Sequence, residues 1–298
     1  MASLSAEGLR ASYGGTTALE EVDVDVQPGE VVALLGRNGA GKTTLLRCLA
    51  GLHRPDAGRV WLDGQDVTGL PASARARRGL AMVPEGGGVF PALTVEETLR
   101  VATPPGIEPR DRMAEVVERL PLVGSLRRRV VGTLSGGERR QVAVARALMR
   151  HPRVLLVDEL SLGLAPQALE ALVEVLRGVN AGGTGLLLVE QRVDVALRLA
   201  TRGVVLERGR VRLRGSGSEL GAAGAELRAA YLGDGSSAAR RPAASAADPP
   251  GEERLTLPLR NRVRRDLQEA ADAVGVTPGA YVARLVEAHL GAAPEEAG

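Results

Sequence analysis

GRNGAGKTT, residues 36–44, decides the fold. Gly36, four further residues, then Gly41, Lys42 and Thr43 fit the phosphate-binding P-loop pattern. The stretch follows an apolar run, VVALL (31–35), and opens a segment of helical character, TLLRCLA (44–50). In that context glycines let the backbone wrap its N–H groups around phosphates at a helix N-terminus, where the helix dipole favours anions. Gly36, Asn38, Gly39, Ala40, Gly41, Lys42, Thr43 and Thr44 are the expected cradle. Lys42 should reach the β- and γ-phosphates, and the Thr43 hydroxyl should hold Mg²⁺. Lys42 is also the only lysine among 38 Lys and Arg residues. A planar guanidinium is too wide for this cradle, whereas a compact ammonium on a slim stem fits. A bias toward arginine would therefore stop at this position.

The composition sets the frame. The chain has 298 residues, enough for one large core or two ordinary domains, with 44% hydrophobic and 25% charged residues, as in a globular protein. A net charge of +2 is too small to imply a nucleic-acid or membrane partner for the whole chain. The single cysteine, Cys48, excludes an internal disulfide, fits a reducing compartment and is expected as buried filler on a helix. MASLSAEGLR (1–10) lacks the basic start and apolar run of a signal peptide. No stretch approaches the ~20 apolar residues of a membrane span. None of the three histidines sits in a metal-ligand pattern, and His53 and His151 are expected in solvent. The Arg127–Arg129 run is expected to mark the solvated end of a helical insertion, with a membrane-partner contact as the alternative.

Residues 1–232 read as alternating strands and helices, an α/β domain with a helical insertion. VVALL, VLLV (154–157) and GLLLVE (185–190) are continuous apolar runs, as in parallel strands buried on both faces. TVEETLRVA (94–102) and RMAEVVERL (112–120) carry helical periodicity, with Thr94 and Asp111 as expected caps. Residues 233–252 are rich in Gly, Ser, Ala and Pro without apolar periodicity, a linker. Residues 253–291 resume the pattern with an alternating RLTLPL (254–259) and two helical segments, followed by a tail, 292–298.

Two further motifs strengthen the nucleotide reading. VLLVDE (154–159) ends an apolar strand in adjacent carboxylates, the Walker B arrangement. Asp158 is expected to hold Mg²⁺ through water, and Glu159 to polarise the attacking water. LSGGERRQVAVARAL (134–148) places Ser135, Gly136 and Gly137 at the start of a helix, a second anion-binding terminus or only a helix cap.

Together these motifs resemble the ATP-binding-cassette (ABC) ATPases over nearly all of residues 1–232. The resemblance implies an α/β fold: a P-loop ATPase domain with a parallel-sheet core, an antiparallel sheet and a helical insertion. It implies ATP and Mg²⁺ as cofactors, and a second cassette, identical or paralogous, whose P-loop faces Ser135–Gly137. Tyr13 matches the aromatic that stacks on adenine, the alternative being a core tyrosine. MVPEGGGVFPALTVEETL (82–99), DELSLGLAP (158–166) and LLLVEQRVDVALRLATRGVVLERGRV (186–211) resemble the ATPase subunit of branched-chain amino-acid importers. That implies transport-coupled ATP hydrolysis at the cytoplasmic face of the membrane, integral-membrane permease subunits as partners and, indirectly, a solute-binding protein. Glu85 stands where most cassettes have an Mg²⁺-contacting glutamine, Gln191 where most have a switch histidine, and Ala165 where most have an aspartate. All three departures are tolerated in the subfamily. Gln191 should hydrogen-bond the γ-phosphate without carrying charge. Leu160 replaces a proline after the Walker B pair and should loosen the turn that aims Glu159.

Residues 254–290 resemble the ribbon-helix-helix fold of the MetJ/Arc type, whose paired strands enter the DNA major groove. By that resemblance Arg254 and Thr256 would face base edges, and Arg260, Arg262, Arg264 and Arg265 phosphates. The alternative is a dimerisation module with a solvated basic rim. A DNA-associated regulator using the ATPase as a ligand sensor is then the rival to the transporter reading.

Overall fold

The chain divides into two units, Met1–Arg240 and Arg241–Gly298. The computed structural model describes residues 3–159 and 161–222, all in the first unit. The linker, the 253–291 segment with Arg254, Thr256, Arg260 and Arg262, and Leu160 lie outside the described residues.

In chain order the elements are β1 (Leu4–Tyr13), β2 (Thr16–Val26), β3 (Val31–Leu35), α1 (Lys42–Ala50), β4 (Ala57–Leu62) and β5 (Gln65–Asp66). Next come α2 (Ala72–Arg77), β6 (Leu80–Val83), α3 (Val95–Ala102), α4 (Pro109–Arg119), α5 (Pro121–Ser125) and α6 (Gly136–Leu148). The remainder are β7 (Val154–Asp158), α7 (Pro166–Ala181), β8 (Gly185–Glu190), α8 (Val193–Leu197), β9 (Arg202–Glu207), β10 (Arg210–Ser216) and α9 (Gly217–Ala222). They form a four-stranded antiparallel sheet, β2-β1-β4-β5, and a six-stranded sheet, β10-β9-β3-β8-β7-β6, parallel except for β10.

The three apolar runs are three adjacent central strands, β3, β8 and β7, and every residue of each is buried. Side chains alternate across a strand, so the runs of β7 and β8 each divide between two cores. Leu155 and Val157 of β7, with Leu186 and Leu188 of β8, pack toward the helical layer of α3–α7. Val154, Leu156, Leu187 and Val189 pack toward α1 and the antiparallel sheet. Only a strand covered on both faces can be apolar throughout.

Thr94 caps α3 as expected, in a reciprocal capping box with Glu97. Asp111 does not cap α4. The helix begins two residues earlier at Pro109, with Glu108 as the cap accepting from the Arg110 N–H. Proline favours the first helical position because its missing N–H would have no intrahelical partner there. Ala165 precedes Pro166 at the start of α7 and offers no side-chain cap. No helix among the described residues is long and apolar enough to cross a membrane.

Candidate nucleotide site

Parallel strands open their C-terminal ends on one edge, and the register of this sheet determines what appears there. Leu35 of β3 lies beside Glu190 of β8, Asp158 of β7 beside Val189, and Val83 of β6 beside Val157. The residues just off these ends, Gly36, Gln191, Glu159 and, after Pro84, Glu85, therefore come from four adjacent strands. Ligands of open α/β sheets gather at this edge.

The glycine loop turns from β3 into α1. Gly39 and Gly41 hold φ of 81° and 105°, a region that L side chains rarely adopt. A Cβ on Gly41 would lie 2.6 Å from the Ala18 carbonyl oxygen, whereas one on Gly39 would meet nothing within 4 Å. The loop is thus tight on its protein side at Gly41 and open at Gly39. Lys42, Thr43 and Thr44 form the first turn of α1, whose N–H groups have no intrahelical acceptor. Lys42 is buried and curls over the loop, donating from Nζ to the carbonyls of Gly36 at 2.8 Å and Arg37 at 3.1 Å. Burial lowers its pKa, against the opposing pull of Glu159, Asp158 and Glu190.

Asp158 is 2% exposed, and its Oδ1 is buried without a hydrogen-bond partner among the described residues. Its pKa is raised by burial and by the neighbouring Glu159 and Glu85, against Lys42 and a hydrogen bond from Thr43. A carboxylate with an orphaned oxygen, crowded by two others and touching a hydroxyl, is a donor set short of positive charge. It fits a hard divalent cation such as Mg²⁺, which takes oxygen ligands.

Glu159 is held from several directions. Its backbone sits at φ 48°, a left-handed conformation that is strained for a glutamate. Its N–H donates to the Val189 carbonyl at 3.0 Å. The Gln191 amide donates to its carboxylate at 2.7 Å. Gln191 thus contacts the carboxylate expected to act as base, a contact that spacing alone did not indicate. Glu190, 2% exposed, accepts from Ser161 N–H and Oγ at 2.7 and 2.8 Å and fixes the chain beyond Glu159. Burial raises the Glu190 pKa, and these hydrogen bonds oppose the rise.

Ser135 caps α6 in a capping box with Glu138, accepting from the Glu138 N–H and donating its own N–H to the Glu138 carboxylate. Gly136 gathers with Glu85–Gly87 and Leu162–Leu164 around a shallow pocket. A Cβ on Gly137 would lie 2.6 Å from the Ala168 Cβ, so only glycine lets α6 start this close to α7. The structure therefore brings Lys42, Thr43, Asp158, Glu159, Glu190 and Gln191 together on the β3–β8–β7 edge, and sets Gly136 around one pocket with Glu85.

Tyr13 ends β1 with 42% of its surface exposed, which rules out a core role, and its ring lies 4.4 Å from that of His53 at 31°. This corrects the expectation of a solvated His53. The residue is half-buried and its Nε2 is buried without a hydrogen-bond partner among the described residues. His151 is exposed, beside Glu115. Cys48 is buried, and desolvation pushes its thiol up to about 11, consistent with inert filler.

Arg140 was not singled out by motif. It is 5% exposed and donates from Nη2 to the Glu159 carbonyl at 2.6 Å, and from Nη1 to those of Glu85 at 2.6 Å and Pro84 at 3.1 Å. A signal was present: Arg140 shares one helical stripe with buried Ala143, Val144 and Ala147, where a charge needs partners.

The sequence from Leu19 through Ser161 matches the ABC transporter family over residues 19–161. BraG of Pseudomonas aeruginosa, a high-affinity branched-chain amino acid transport ATP-binding protein, is 40% identical over 234 residues, 77% of this chain and 99% of BraG. The chain belongs to the ABC transporter family. It is an ATP-binding, ATP-hydrolysing subunit of that family. LivF of Archaeoglobus fulgidus, a probable branched-chain amino acid transport ATP-binding protein, is 37% identical over 71% of this chain and 91% of its own length. The lipopolysaccharide export ATP-binding protein LptB of Escherichia coli is 34% identical over 74% and 93%. Among solved structures, a nucleotide-free ABC-transporter cassette matches with a TM-score of 0.66 and 26% identity, covering 74% of this chain and 93% of that one. A dimeric cassette in a post-hydrolysis state, bound to ADP and Pi, matches with 0.64 and 25%, covering 72% and 98%.

Proposed function

We propose that this cassette drives an importer of branched-chain amino acids, docked on permease subunits at the cytoplasmic face of the membrane and paired with a second cassette. The observation that carries the reading is the 40% identity to BraG across 99% of that protein's length. LptB, named for export, is similar at 34%, so the solute is the finer part of the proposal. A solute-binding protein would act through the permease.

A groove of about 600 Å³ supports docking. Exposed Leu52, Phe90 and Val101 line it, together with Arg146 and Arg150, whose Nε atoms are buried and without a hydrogen-bond partner among the described residues. Apolar side chains around unpaired guanidinium groups suit a permease segment that carries a carboxylate among apolar residues.

At the nucleotide site, the first-turn N–H groups of α1 and Lys42 would hold and orient the ATP phosphates. Thr43, Asp158 and Glu85 would hold Mg²⁺, which when bound screens the phosphate charge. Glu159 would take the proton of the attacking water, and Gln191 would fix its carboxylate at the observed 2.7 Å. Tyr13 would stack on the adenine.

The test is ATP-dependent uptake of labelled leucine by vesicles containing the chain with permease subunits of a branched-chain system. Glu159→Gln should abolish uptake and turnover while retaining MgATP binding. Turnover equal to that of the parent would remove Glu159 as base, and absence of leucine uptake by the parent would remove the import assignment. Residues 253–291 would add a dimerisation and DNA-contacting module, a reading that rests on the RLTLPL alternation and the arginines around it.

A further inference from the structure

We propose that Arg140 is a positioning residue for ATP hydrolysis, clamping the backbones of Glu159 and Glu85 so that their carboxylates are presented together. The proposal rests on Glu159 as base and adds a device that holds it.

Glu159 occupies φ 48°. A non-glycine residue in that region is strained and persists only where the surroundings over-determine it. Here both backbone polar groups of Glu159 are taken. Its N–H goes to Val189 of the neighbouring strand, at 3.0 Å, and its carbonyl accepts from Arg140 at 2.6 Å. The Val189 bond belongs to the sheet and fixes where the residue starts. The Arg140 bond comes from α6, 19 residues away in sequence, and fixes where the peptide plane points next.

The other half of the guanidinium reaches the Pro84–Glu85 turn at 3.1 and 2.6 Å, across sequence separations of 56 and 55 residues. One planar group thus bridges the turns after β6 and β7. A guanidinium can do this because its donors diverge in a rigid fork, whereas a lysine ammonium is a single point on a flexible stem. All three acceptors are backbone carbonyls. Glu85, Asp158, Glu159 and Glu190 are close enough for their charge to act on Arg140, yet no carboxylate oxygen is among these three acceptors. The cation therefore offsets negative charge at the site without occupying the oxygens that water and metal need.

Arg140 is also five residues beyond Ser135 on the helix that Ser135 caps. A displacement of α6 relative to the sheet edge must strain the Arg140 bonds. The position of the Ser135–Gly137 turn and the alignment of Glu159 are then mechanically one variable.

The experiment compares the full chain with Arg140→Lys and Arg140→Met, reading steady-state phosphate release and, separately, MgATP affinity by displacement of a fluorescent nucleotide. Since a misplacement of about 1 Å can cost on the order of 100-fold in rate, Arg140→Met should lose roughly 100-fold in kcat. Arg140→Lys should lose roughly 10-fold, because an ammonium can serve only one turn, and MgATP affinity should stay within about threefold for both. The same substitutions in a Glu159→Gln background, followed by radiolabelled phosphate release over hours, should give a much smaller further loss, because the part of the Arg140 effect that runs through Glu159 is already gone. Equal fold losses in the two backgrounds, an unchanged kcat, or a loss of MgATP affinity parallel to kcat would overturn the proposal. Should Arg140→Met fail to fold, the Arg140→Lys comparison carries the same outcomes. Parental turnover by Glu159→Gln alone would sink the base assignment instead, a result distinguishable from failure of the clamp.

Discussion

Replacing Gly41 with alanine separates two costs that the glycine loop avoids. The residue holds φ 105°, and an added Cβ would lie 2.6 Å from the Ala18 carbonyl oxygen and 2.9 Å from Leu19 Cδ2. Neither neighbour can withdraw cheaply, since Ala18 and Leu19 belong to β2 and Leu19 is fully buried. The backbone term is on the order of 1–3 kcal/mol, and overpacking adds about 1–3 kcal/mol. Gly39→Ala is the control. Its φ of 81° carries the same backbone term, but its Cβ would meet nothing within 4 Å. In thermal unfolding without nucleotide, Gly41→Ala should therefore lose about 2–6 kcal/mol and Gly39→Ala about 1–3 kcal/mol. At roughly 2–4 °C per kcal/mol for a domain of this size, the two variants should melt several degrees apart. With MgATP at about 100 times its Kd, the parent should gain about 2.7 kcal/mol, and Gly41→Ala should gain less because α1 starts from a shifted turn. Equal melting temperatures for the two variants would refute the steric reasoning.

Asp158→Asn should stabilise the nucleotide-free protein at neutral pH by about 1–2 kcal/mol, the scale on which relief of a strained functional site registers, and should abolish the magnesium-dependent part of nucleotide affinity. Because the folded protein raises the Asp158 pKa, its penalty is present above that raised value and is relieved as pH falls through it toward the unfolded value. Calorimetry in the parent should accordingly show magnesium affinity falling on acidification, and a pH-independent affinity would contradict this. Phe90→Asp should leave MgATP affinity within about twofold but prevent co-purification with permease subunits, whereas undiminished co-purification would remove the groove as the docking surface. Deleting 234–298 should spare MgATP binding, and gel shifts by the parent should weaken steeply with salt if the basic segment contacts phosphates.

Much of the fold was legible because its signals are local. An apolar run of five residues, a glycine loop and a reciprocal cap each declare themselves within ten positions, as VVALL, GRNGAGKTT and the Thr94–Glu97 pair do. Asp111 misled because an acid in the first turn of a helix reads like a cap, although Pro109 had already started the helix. In the site, the carboxylates and the glycine loop that meet at the sheet edge were legible from spacing. The groups that hold them were not, because their contacts are long-range: Arg140 reaches across 55 residues to Glu85, and Glu190 across 29 to Ser161. The half-buried place of His53 is not legible in the sequence, because no short pattern shows that Tyr13, forty residues upstream, lies over its ring.

Lys42, buried with a lowered pKa, carries the only primary amine on any side chain of the molecule. An acylating reagent therefore has one internal side-chain amine to find, and that amine is folded over the glycine loop. Amine acylation, read as a single mass increment away from the chain's first residue, becomes an occupancy gauge for the whole site without any engineered label.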